Sequence, residues 1–497
     1  MLSPPQDSKL QEPAPEIAPL DHAEVRKIVA GILLAMLLAA LDQTIVATAL
    51  PTISDSLGDI DNLSWVVTAY LLSTTAATPL YGKLSDIHGR RTMMLIGIGV
   101  FVLGSIVCAL APTMWALIIG RAVQGLGGGG LIPLAQAVIG DVAPPRERAR
   151  YQAMTAIVFM AATVGGPVVG GLITEYLHWS LIFWINVPLG AIAFAMTHDV
   201  LRRLPRHERP HALDVLGAAL MVGAATTLML AVTWGGHRYP WSSPVIIGLI
   251  LCSLLLWVLF SLRQISALEP FIPLTVLRDS VVRSASGAAF FANGTTVALT
   301  IFVVLYFQLA LGFSASRSGI AIIALQGGAT FMAMMAGRVM GRVVHYKRLP
   351  LASLAFGVAA LLLLAAYPTQ MPSALVIALV TLVGCGIGPA FPTAIVVIQN
   401  AVPLHQLGIA SGLVSFSRSL GGSLIVTVFS AIVLAGLSDS SIVTVERLAA
   451  AGHADGLNGG VFRWVFVAAA VGLLAAFACV FAIEERPLRG SPPGLGE

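Results

Sequence analysis

The feature that most constrains this chain is a succession of apolar segments. A helix of about 20 apolar residues is long enough to cross roughly 30 Å of hydrocarbon. Fourteen such segments occur along the 497 residues. They begin near Ile28, Trp65, Thr92, Met114, Gln152, Leu181, Asp214, Pro244, Ala285, Ser318, Leu351, Ala374, Gly408 and Val461. The sequence therefore predicts an all-α membrane protein with fourteen transmembrane helices.

The scarcity of charge supports a lipid-facing surface. Only 10% of the residues are charged and 57% are hydrophobic, whereas a soluble domain carries about a quarter charged residues. The formal net charge is +4 and no Lys/Arg run resembles a nucleic-acid arm, so we expect the lipid bilayer and no nucleic acid as partner. The four cysteines lie in apolar stretches without metal-ligand spacing, and no metal site is predicted.

The basic residues alternate between loops and so indicate sidedness. Lys83, Arg90 and Arg91 follow the second segment, and Arg202, Arg203, Arg206 and Arg209 follow the sixth. Cytosolic loops are enriched in Lys and Arg, which places both termini in the cytoplasm. The loop at 401–407, which has no Lys or Arg, is the exception.

This layout divides the chain into five parts. We predict a disordered cytosolic tail (1–25), a six-helix bundle (26–200), a basic loop plus a two-helix insert (201–284), a second six-helix bundle (285–485) and a second cytosolic tail (486–497). Six predicted spans therefore lie on each side of the two-helix insert. Pseudo-symmetric halves place a substrate site between them near the membrane midplane.

The tight turn between the second and third segments is a candidate gating loop. It contains Gly82, Asp86, Gly89, Arg90 and Arg91. Gly89 can adopt the left-handed backbone of a tight turn. Asp86 can pair with an arginine or cap a neighbouring helix, which would form a latch that breaks and re-forms. The alternative is a turn whose arginines only set the topology.

Two charges fall inside predicted spans at similar depth. Asp42 lies about 21 Å from the inner end of its segment, and Arg121 about 10 Å from the outer end of its own, at 1.5 Å per residue. A charge in the membrane normally faces a partner or water, so the two could share one cavity. Burial of a carboxyl favours its protonated form and a nearby arginine favours its ionised form, so a partner that moves would supply a proton switch.

Each of these charges also has a structural alternative. Asp42 could be a static polar anchor, and Arg121 could be a hydrogen-bond hub for neighbouring carbonyls. For Arg418, the third charge inside a span, we favour structural packing beside Gly421 and Gly422.

Several stretches resemble a known family. The loop at 82–91 resembles the signature loop of the major facilitator superfamily. Residues 41–46 with 49–51, Gly120-Arg121 with Gln124-Gly125, 166–171 and 183–190 are similar to motifs of its fourteen-span drug:proton antiporter branch, the multidrug efflux transporters. The resemblance implies the major-facilitator fold, with two six-helix bundles and two inserted central helices. It further implies a proton-coupled exporter of amphipathic, often cationic drugs or toxic compounds, working by alternating access. It also implies proton-coupling roles for Asp42 and Arg121.

The antiporter motif of the fifth segment contains Gly166, Pro167, Gly170 and Gly171. These residues would bend the helix and let another helix approach closely. The resemblance implies that they keep the antiporter from leaking, and the alternative is an ordinary packing kink. The chain departs from the family pattern at Val158 and Ala162, earlier positions of this motif that are not glycine here. It also departs at Gly341, where an acidic residue would mirror Asp86 in the second bundle.

The remaining polar and aromatic residues of the spans are weaker candidates for a substrate cavity. Each of them alone could equally make a helix–helix hydrogen bond. They are Tyr70, Gln136, Asn293, Tyr306, Gln308 and Gln326.

The expected partners are a small-molecule substrate and protons, and the proton gradient replaces a cofactor. No G-x-x-x-x-G-K-[ST] sequence is present, which argues against an ATP-driven pump. We expect a bacterial inner membrane, and whether a periplasmic adaptor protein is recruited, as by some relatives, stays open. The alternatives are a dedicated exporter of a lipid-like or metabolic product, a proton symporter and a membrane-embedded enzyme. For the enzyme, no nucleophile–base pair or metal cluster lies within the spans.

Overall fold

A computed structural model describes residues 22–59, 62–143, 145–201, 214–236, 238–267, 269–313, 315–340, 343, 345–435 and 460–486. Most of both predicted tails and of the basic loop after the sixth segment lies outside these ranges. Within them the chain is helical, and the strand-like pairing is confined to one bridge between Gly235 and Tyr239.

The described ranges contain seventeen α-helices and one short 3-10 helix, Leu404–Gln406. The α-helices are α1 (His22–Leu57), α2 (Leu63–His88), α3 (Arg90–Ala109), α4 (Met114–Val142), α5 (Pro145–Tyr176), α6 (Leu181–Trp184), α7 (Asn186–Val200), α8 (Val215–Trp234), α9 (Pro244–Ser266), α10 (Leu274–Arg278), α11 (Ser280–Leu309), α12 (Ala315–Met340), α13 (Arg348–Ala366), α14 (Ser373–Ile387), α15 (Ala390–Ala401), α16 (Leu407–Ala435) and α17 (Gly460–Ala482). The helix α1 thus begins four residues before the predicted start of the first bundle.

The predicted all-α membrane fold is confirmed. Every predicted apolar segment lies in one long helix or in a pair of consecutive helices, α6 with α7 or α14 with α15. In the described part of the chain, 13 spans are long and apolar enough to cross a membrane. The remaining segment is α2, whose serines and threonines lower its mean hydropathy. The count of fourteen transmembrane helices therefore stays a prediction.

Prolines account for the two interrupted spans. Pro188 lies four positions after Trp184, and its nitrogen cannot donate the helical hydrogen bond to that carbonyl. Pro389 is related in the same way to Cys385, and α14 ends two residues before it, at Ile387.

Helix pairing recurs between the first and last parts of the fold. In the first bundle α1 packs on α5, α2 on α4, and α3 on α7. The second bundle repeats this order, with α11 on α16, α12 on α14, and α13 on α17. The two bundles join where α2 packs against α16 and α5 against α12. Any site between the halves must therefore be walled by these four helices and by the others that face them.

The hairpin of α8 and α9 covers the seam between α2 and α16. Phe260 and Phe271, from α9 and the loop after it, share a buried cluster with Ile409 and Phe416 of α16. At the base of the hairpin, Arg263 Nε donates to Asp214 Oδ1 at 3.1 Å. The inserted hairpin thus closes one lateral face of the bundle.

One end of the molecule gathers most of the arginines and lysines of the described loops and helix ends. We call it the basic end, and it carries both ends of the described chain, His22 and Arg486. Its basic residues include Lys83, Arg90, Arg91, Arg263, Arg278, Arg338, Arg348 and Arg486.

Candidate functional site

An ion pair lies inside the first bundle. Arg121 Nη1 of α4 donates to Asp42 Oδ2 of α1 at 2.6 Å, and the two side chains are 1% and 0% exposed. The structure thus brings together the two charges that the sequence placed at similar depth. They are sealed among helices rather than exposed to a shared cavity.

Two amides complete the surroundings of the Asp42 carboxylate. Gln124 Nε2 donates to Asp42 Oδ1 at 2.8 Å, and Asn186 Nδ2 donates to the same oxygen at 3.1 Å. Both amides also donate to Ser105 Oγ, at 2.7 and 3.3 Å. Each hydrogen bond found at this carboxylate among the described residues is therefore one that it accepts.

The guanidinium of Arg121 makes further contacts beyond this pair. Its Nε donates to the Val66 carbonyl at 3.1 Å and its Nη1 to Gln124 Oε1 at 2.7 Å. It also lies 4.2 Å from the ring centre of Tyr70 and 5.8 Å from that of Phe183. The sequence left two alternatives for Arg121, a partner of Asp42 or a hydrogen-bond hub for carbonyls. In the structure Arg121 makes both kinds of contact.

Sequence reasoning missed the contribution of Gln124, Asn186 and Ser105. Gln124 and Asn186 both lie in stretches that resemble the antiporter branch, and that was the available signal. Which atoms they face depends on how α3, α4 and α7 pack around α1, and a single sequence does not contain that information.

A second charged cluster joins the two bundles at the basic end. Asp86 Oδ1 accepts from the backbone N–H of Gly408 at 3.0 Å, and Oδ2 accepts from that of Ile409 at 2.8 Å. Arg90 donates to Asp86 and, through Nε, to Asp141 Oδ2 at 2.8 Å. We call Asp86, Arg90 and the first N–H groups of α16 the latch. The first N–H groups of a helix lack intrahelical partners and carry partial positive charge, which suits a carboxylate.

The glycines of the gating loop have different structural roles. A Cβ on Gly82 would lie 2.7 Å from the Gly408 carbonyl oxygen, so Gly82 allows α2 to approach α16 closely. Gly89 has a φ of +88°, which the tight turn between α2 and α3 requires. No hydrogen bond of the Arg91 side chain is found within the described ranges. The corresponding turn of the second bundle falls partly on residues 341 and 342, which are outside them.

Two of the four antiporter-motif residues bring α5 onto α1. A Cβ on Gly166 would lie 2.0 Å from Thr44 Oγ1, and one on Gly170 would lie 2.8 Å from the Ile45 carbonyl oxygen. Gly171 faces open space, and Pro167 lies within the continuous helix α5. The close approach therefore depends on Gly166 and Gly170.

A cavity of about 590 Å³ lies between the two bundles. Of the predicted cavity residues, Asn293 and Gln326 line it, but Tyr70, Gln136, Tyr306 and Gln308 do not. Tyr70 is buried against Arg121, and Tyr306 is buried against Phe462 and Phe466. The structure thus places these four residues outside the wall of this cavity, because span membership alone does not specify which face of a helix a side chain occupies.

Cross-bundle hydrogen bonds lie between the cavity and the basic end. Gln136 takes part in two of them: its carbonyl accepts from Gln399 Nε2 at 2.9 Å, and its Oε1 accepts from Ser415 Oγ at 3.2 Å. The Thr75 and Ser419 hydroxyls meet at 2.7 Å beside the cavity. Together with the latch, these bonds link the two bundles between the cavity and the basic end.

The wall of the cavity mixes hydroxyl, apolar and aromatic groups. Its hydroxyl residues include Thr44, Thr74, Thr155, Thr163, Thr296, Thr300, Ser419, Ser423 and Thr427. Among the described residues that line it, Arg418 alone carries a formal charge. The structure thus places Arg418 in the cavity wall, a position that our packing interpretation of this residue did not anticipate.

The fold and the site define a class of protein. Two helical bundles with similar internal pairing, a central cavity and a buried charge pair are typical of a secondary transporter in a membrane. The Major Facilitator Superfamily model matches residues 32–203 and 195–426, and the chain belongs to this family. It is therefore a multi-span membrane transporter and not an enzyme.

The chain is also similar to individual transporters and to solved structures. Multidrug resistance protein 3 of Bacillus subtilis is 33% identical over 408 residues, which are 82% of this chain and 79% of that protein. The multidrug transporter protein MdtP of the same organism is 30% identical over 407 residues, 82% of this chain and 74% of MdtP. The solved structure of the proton:xylose symporter XylE has a TM-score of 0.63 at 14% identity, with 94% of this chain and 98% of XylE covered, and this likeness shows the fold alone.

Proposed function

We propose that this transporter exports amphipathic small molecules in exchange for inward-moving protons, by alternating access. The observation that carries the proposal is the sealed Asp42–Arg121 pair, with 0% and 1% exposure. A charged pair inside a membrane protein is costly to bury, and such residues commonly mark ion and proton pathways. The resemblance of the surrounding motifs to the drug:proton antiporters and the multidrug relatives support the same conclusion.

The proposed coupling uses the Asp42 carboxylate as the proton carrier. In the present state its oxygens accept from Arg121, Gln124 and Asn186. Protonation would end the ion pair and convert an oxygen that accepts hydrogen bonds into a donor, so the packing of α1 against α4 would change. Gln43 and Thr44, next along α1, line the cavity, so a movement of α1 would act directly on the substrate site.

The latch supplies the alternation step of this proposal. In this proposal, the binding of Asp86 to the start of α16 closes the path between the cavity and the basic end. We assign the basic end to the cytosol because cytosolic loops are rich in Lys and Arg. The structure would then be closed towards the cytosol. In a bacterial inner membrane each charge crossing 100 mV yields about 2.3 kcal/mol, enough to drive a modest gradient.

The test is dye transport in proteoliposomes under an imposed pH gradient, with ethidium and fluorescein as probes. Asp42→Asn should abolish gradient-driven movement of the transported dye, because the amide cannot carry the proton. Asp199→Asn is the matched control, since Asp199 is an acidic residue of the same bundle with 77% side-chain exposure. Full transport by Asp42→Asn at normal abundance would contradict the proposal.

The same assay separates the alternatives. Movement of dye in the direction of the protons would indicate a symporter. Failure to move any dye of a broad panel would favour a dedicated exporter of a lipid-like or metabolic product. Insensitivity of dye efflux to an uncoupler would contradict proton coupling itself.

A further inference from the structure

Arg418 is a charge without a counter-charge. Its guanidinium lies 4.8 Å from the ring centre of Phe159 on α5 and 5.3 Å from that of Phe391 on α15. In the part of the chain that the structure describes, no carboxylate pairs with this guanidinium and no hydrogen bond from it is found. It lines the cavity between the two bundles.

A permanently charged group in this position needs a partner. Arginine stays protonated at physiological pH, and an unpaired charge inside a membrane protein is unfavourable unless water or a ligand meets it. The two aromatic rings offset part of this penalty through cation–π attraction but leave the N–H donors unused. These donors form a planar fork that fits a carboxylate, sulfonate or phosphate.

The rest of the wall favours an anion as well. Ser423, on the same helix, lines the cavity and can donate a hydrogen bond to a negatively charged group. Asn293 of α11 also lines it; its Nδ2 donates one N–H to the Arg418 carbonyl at 3.1 Å and has a second N–H to donate. Within the described residues the wall contains no Asp or Glu that could attract a cation. Asp42, the acidic residue of the proposed coupling, is sealed by its own partners.

We propose that the cavity binds amphipathic organic anions, whose acidic group pairs with Arg418 while the apolar body packs against Phe159, Phe391 and the aliphatic wall. This inference deepens the proposed function by naming the substrate class, and it replaces the cationic cargo that the family resemblance implied. It rests on the proposed function only in taking the cavity as the transport site. Equilibrium binding to Arg418 does not require proton coupling.

The experiment compares two xanthene dyes of similar size and opposite charge, fluorescein and rhodamine 123. Binding to the full chain in nanodiscs is measured by fluorescence anisotropy, with no pH gradient. We expect the wild type to bind fluorescein more tightly than rhodamine 123. Arg418→Gln should raise the fluorescein Kd about tenfold or more, as for the loss of a charge-assisted hydrogen bond. It should leave rhodamine 123 binding unchanged or stronger.

Two further variants keep the test decisive. Arg338→Gln, at an exposed arginine near the basic end of α12, should bind both dyes as the wild type does. Arg418→Lys keeps the charge but loses the fork, so it should weaken fluorescein binding by less than Arg418→Gln. If Arg418→Gln is not monodisperse in size-exclusion chromatography, the decision falls to Arg418→Lys, which must then weaken fluorescein binding alone.

Four results would overturn the proposal: no fluorescein binding by the wild type, preference for rhodamine 123, unchanged fluorescein binding in Arg418→Gln, or equal loss of both dyes in a monodisperse variant. The last would mean that Arg418 only holds the two aromatic rings together. Anion binding with transport that survives Asp42→Asn would leave this inference standing and would instead contradict the proposed coupling.

Discussion

Arg121 and Arg418 both lie within membrane-spanning helices, yet their surroundings differ in nearly every respect. Arg121 is 1% exposed, pairs with Asp42 at 2.6 Å and donates to a backbone carbonyl. Arg418 lies in the cavity wall between Phe159 and Phe391, without a paired carboxylate in the described ranges. The first arginine belongs to the interior of one bundle, and the second faces the space between the two bundles.

The contrast separates two uses of charge in a membrane. A buried, hydrogen-bonded ion pair is held in one arrangement, and a change in the protonation of one partner would release it. An unpaired charge on a cavity wall can instead take its counter-charge from a ligand that enters the cavity. On this account, Arg121 holds the proton switch and Arg418 recognises the cargo.

The largest expected effect comes from replacing each arginine by methionine. Arg121→Met leaves the Asp42 carboxylate buried without its counter-charge, and removal of one partner of a buried pair costs about 3–5 kcal/mol. Arg418→Met should change the free energy of unfolding by less than about 1 kcal/mol, because the lost cation–π contacts are offset by removal of an unpaired charge. Thermal unfolding of the detergent-solubilised variants measures both. A similar loss of unfolding free energy in the two variants would contradict the proposed difference between the two arginines.

A smaller effect is expected where α5 packs on α1 beside the charge pair. Alanine at Gly166 places a Cβ 2.0 Å from Thr44 Oγ1, so overpacking should lower the free energy of unfolding by about 1–3 kcal/mol. Gly171→Ala is the matched control, because no atom lies within 4 Å of the added Cβ. The same thermal assay applies. An equal response of the two variants would show that the rigid packing around Asp42 does not depend on this contact.

A mutation in the latch tests whether a charged cluster between the bundles affects turnover, whereas the pair within one bundle affects stability. Asp86→Ala removes the acceptor of two N–H groups of α16 and the partner of Arg90. Loss of about 1.4 kcal/mol from the closed state corresponds to about tenfold in the balance of states. We expect turnover of the transported dye to fall by about this factor, with little change in its Kd. A defect confined to the Kd would contradict the alternation role.

The smallest effect is expected at a paired carboxylate outside both bundles. Asp214 caps α8 by accepting from Gly217 N at 3.0 Å, and it also pairs with Arg263 of α9. Asp214→Ala should lower the free energy of unfolding by about 1 kcal/mol, as for the loss of a helix cap. Proton-coupled dye transport should persist. Its loss would mean that the α8–α9 hairpin takes part in coupling and does more than close a lateral face.

The all-α fold could be predicted because span length and the scarcity of charge leave few alternatives for such a chain. The depth of Asp42 and Arg121 could be estimated as well, since helix rise is constant along each segment. The latch was half predicted: Asp86 and Arg90 lie close in sequence, whereas Gly408 and Ile409 come from α16, more than three hundred residues away.

Side-chain direction was the information that the sequence lacked. Four of the candidates are polar or aromatic residues within predicted spans: Tyr70, Gln136, Asn293 and Gln326. Only Asn293 and Gln326 line the cavity. Arg418 looked like a packing residue because two glycines follow it closely in sequence. Its exposure to the cavity depends on how α16 is rotated against α5 and α15, and periodicity within α16 does not determine that rotation.

The central claim is that Asp42 exchanges a proton for cargo. The most direct measurement uses proteoliposomes with a pH reporter trapped inside and no initial pH gradient. The transported dye is loaded at a higher concentration inside than outside, so that it flows out. If Asp42 carries the proton, efflux of the transported dye should drive protons inward in the wild type and in Asp199→Asn, and Asp42→Asn should show no dye-dependent proton flux. Dye efflux by the wild type without any proton movement, or proton movement that persists in Asp42→Asn, would contradict it.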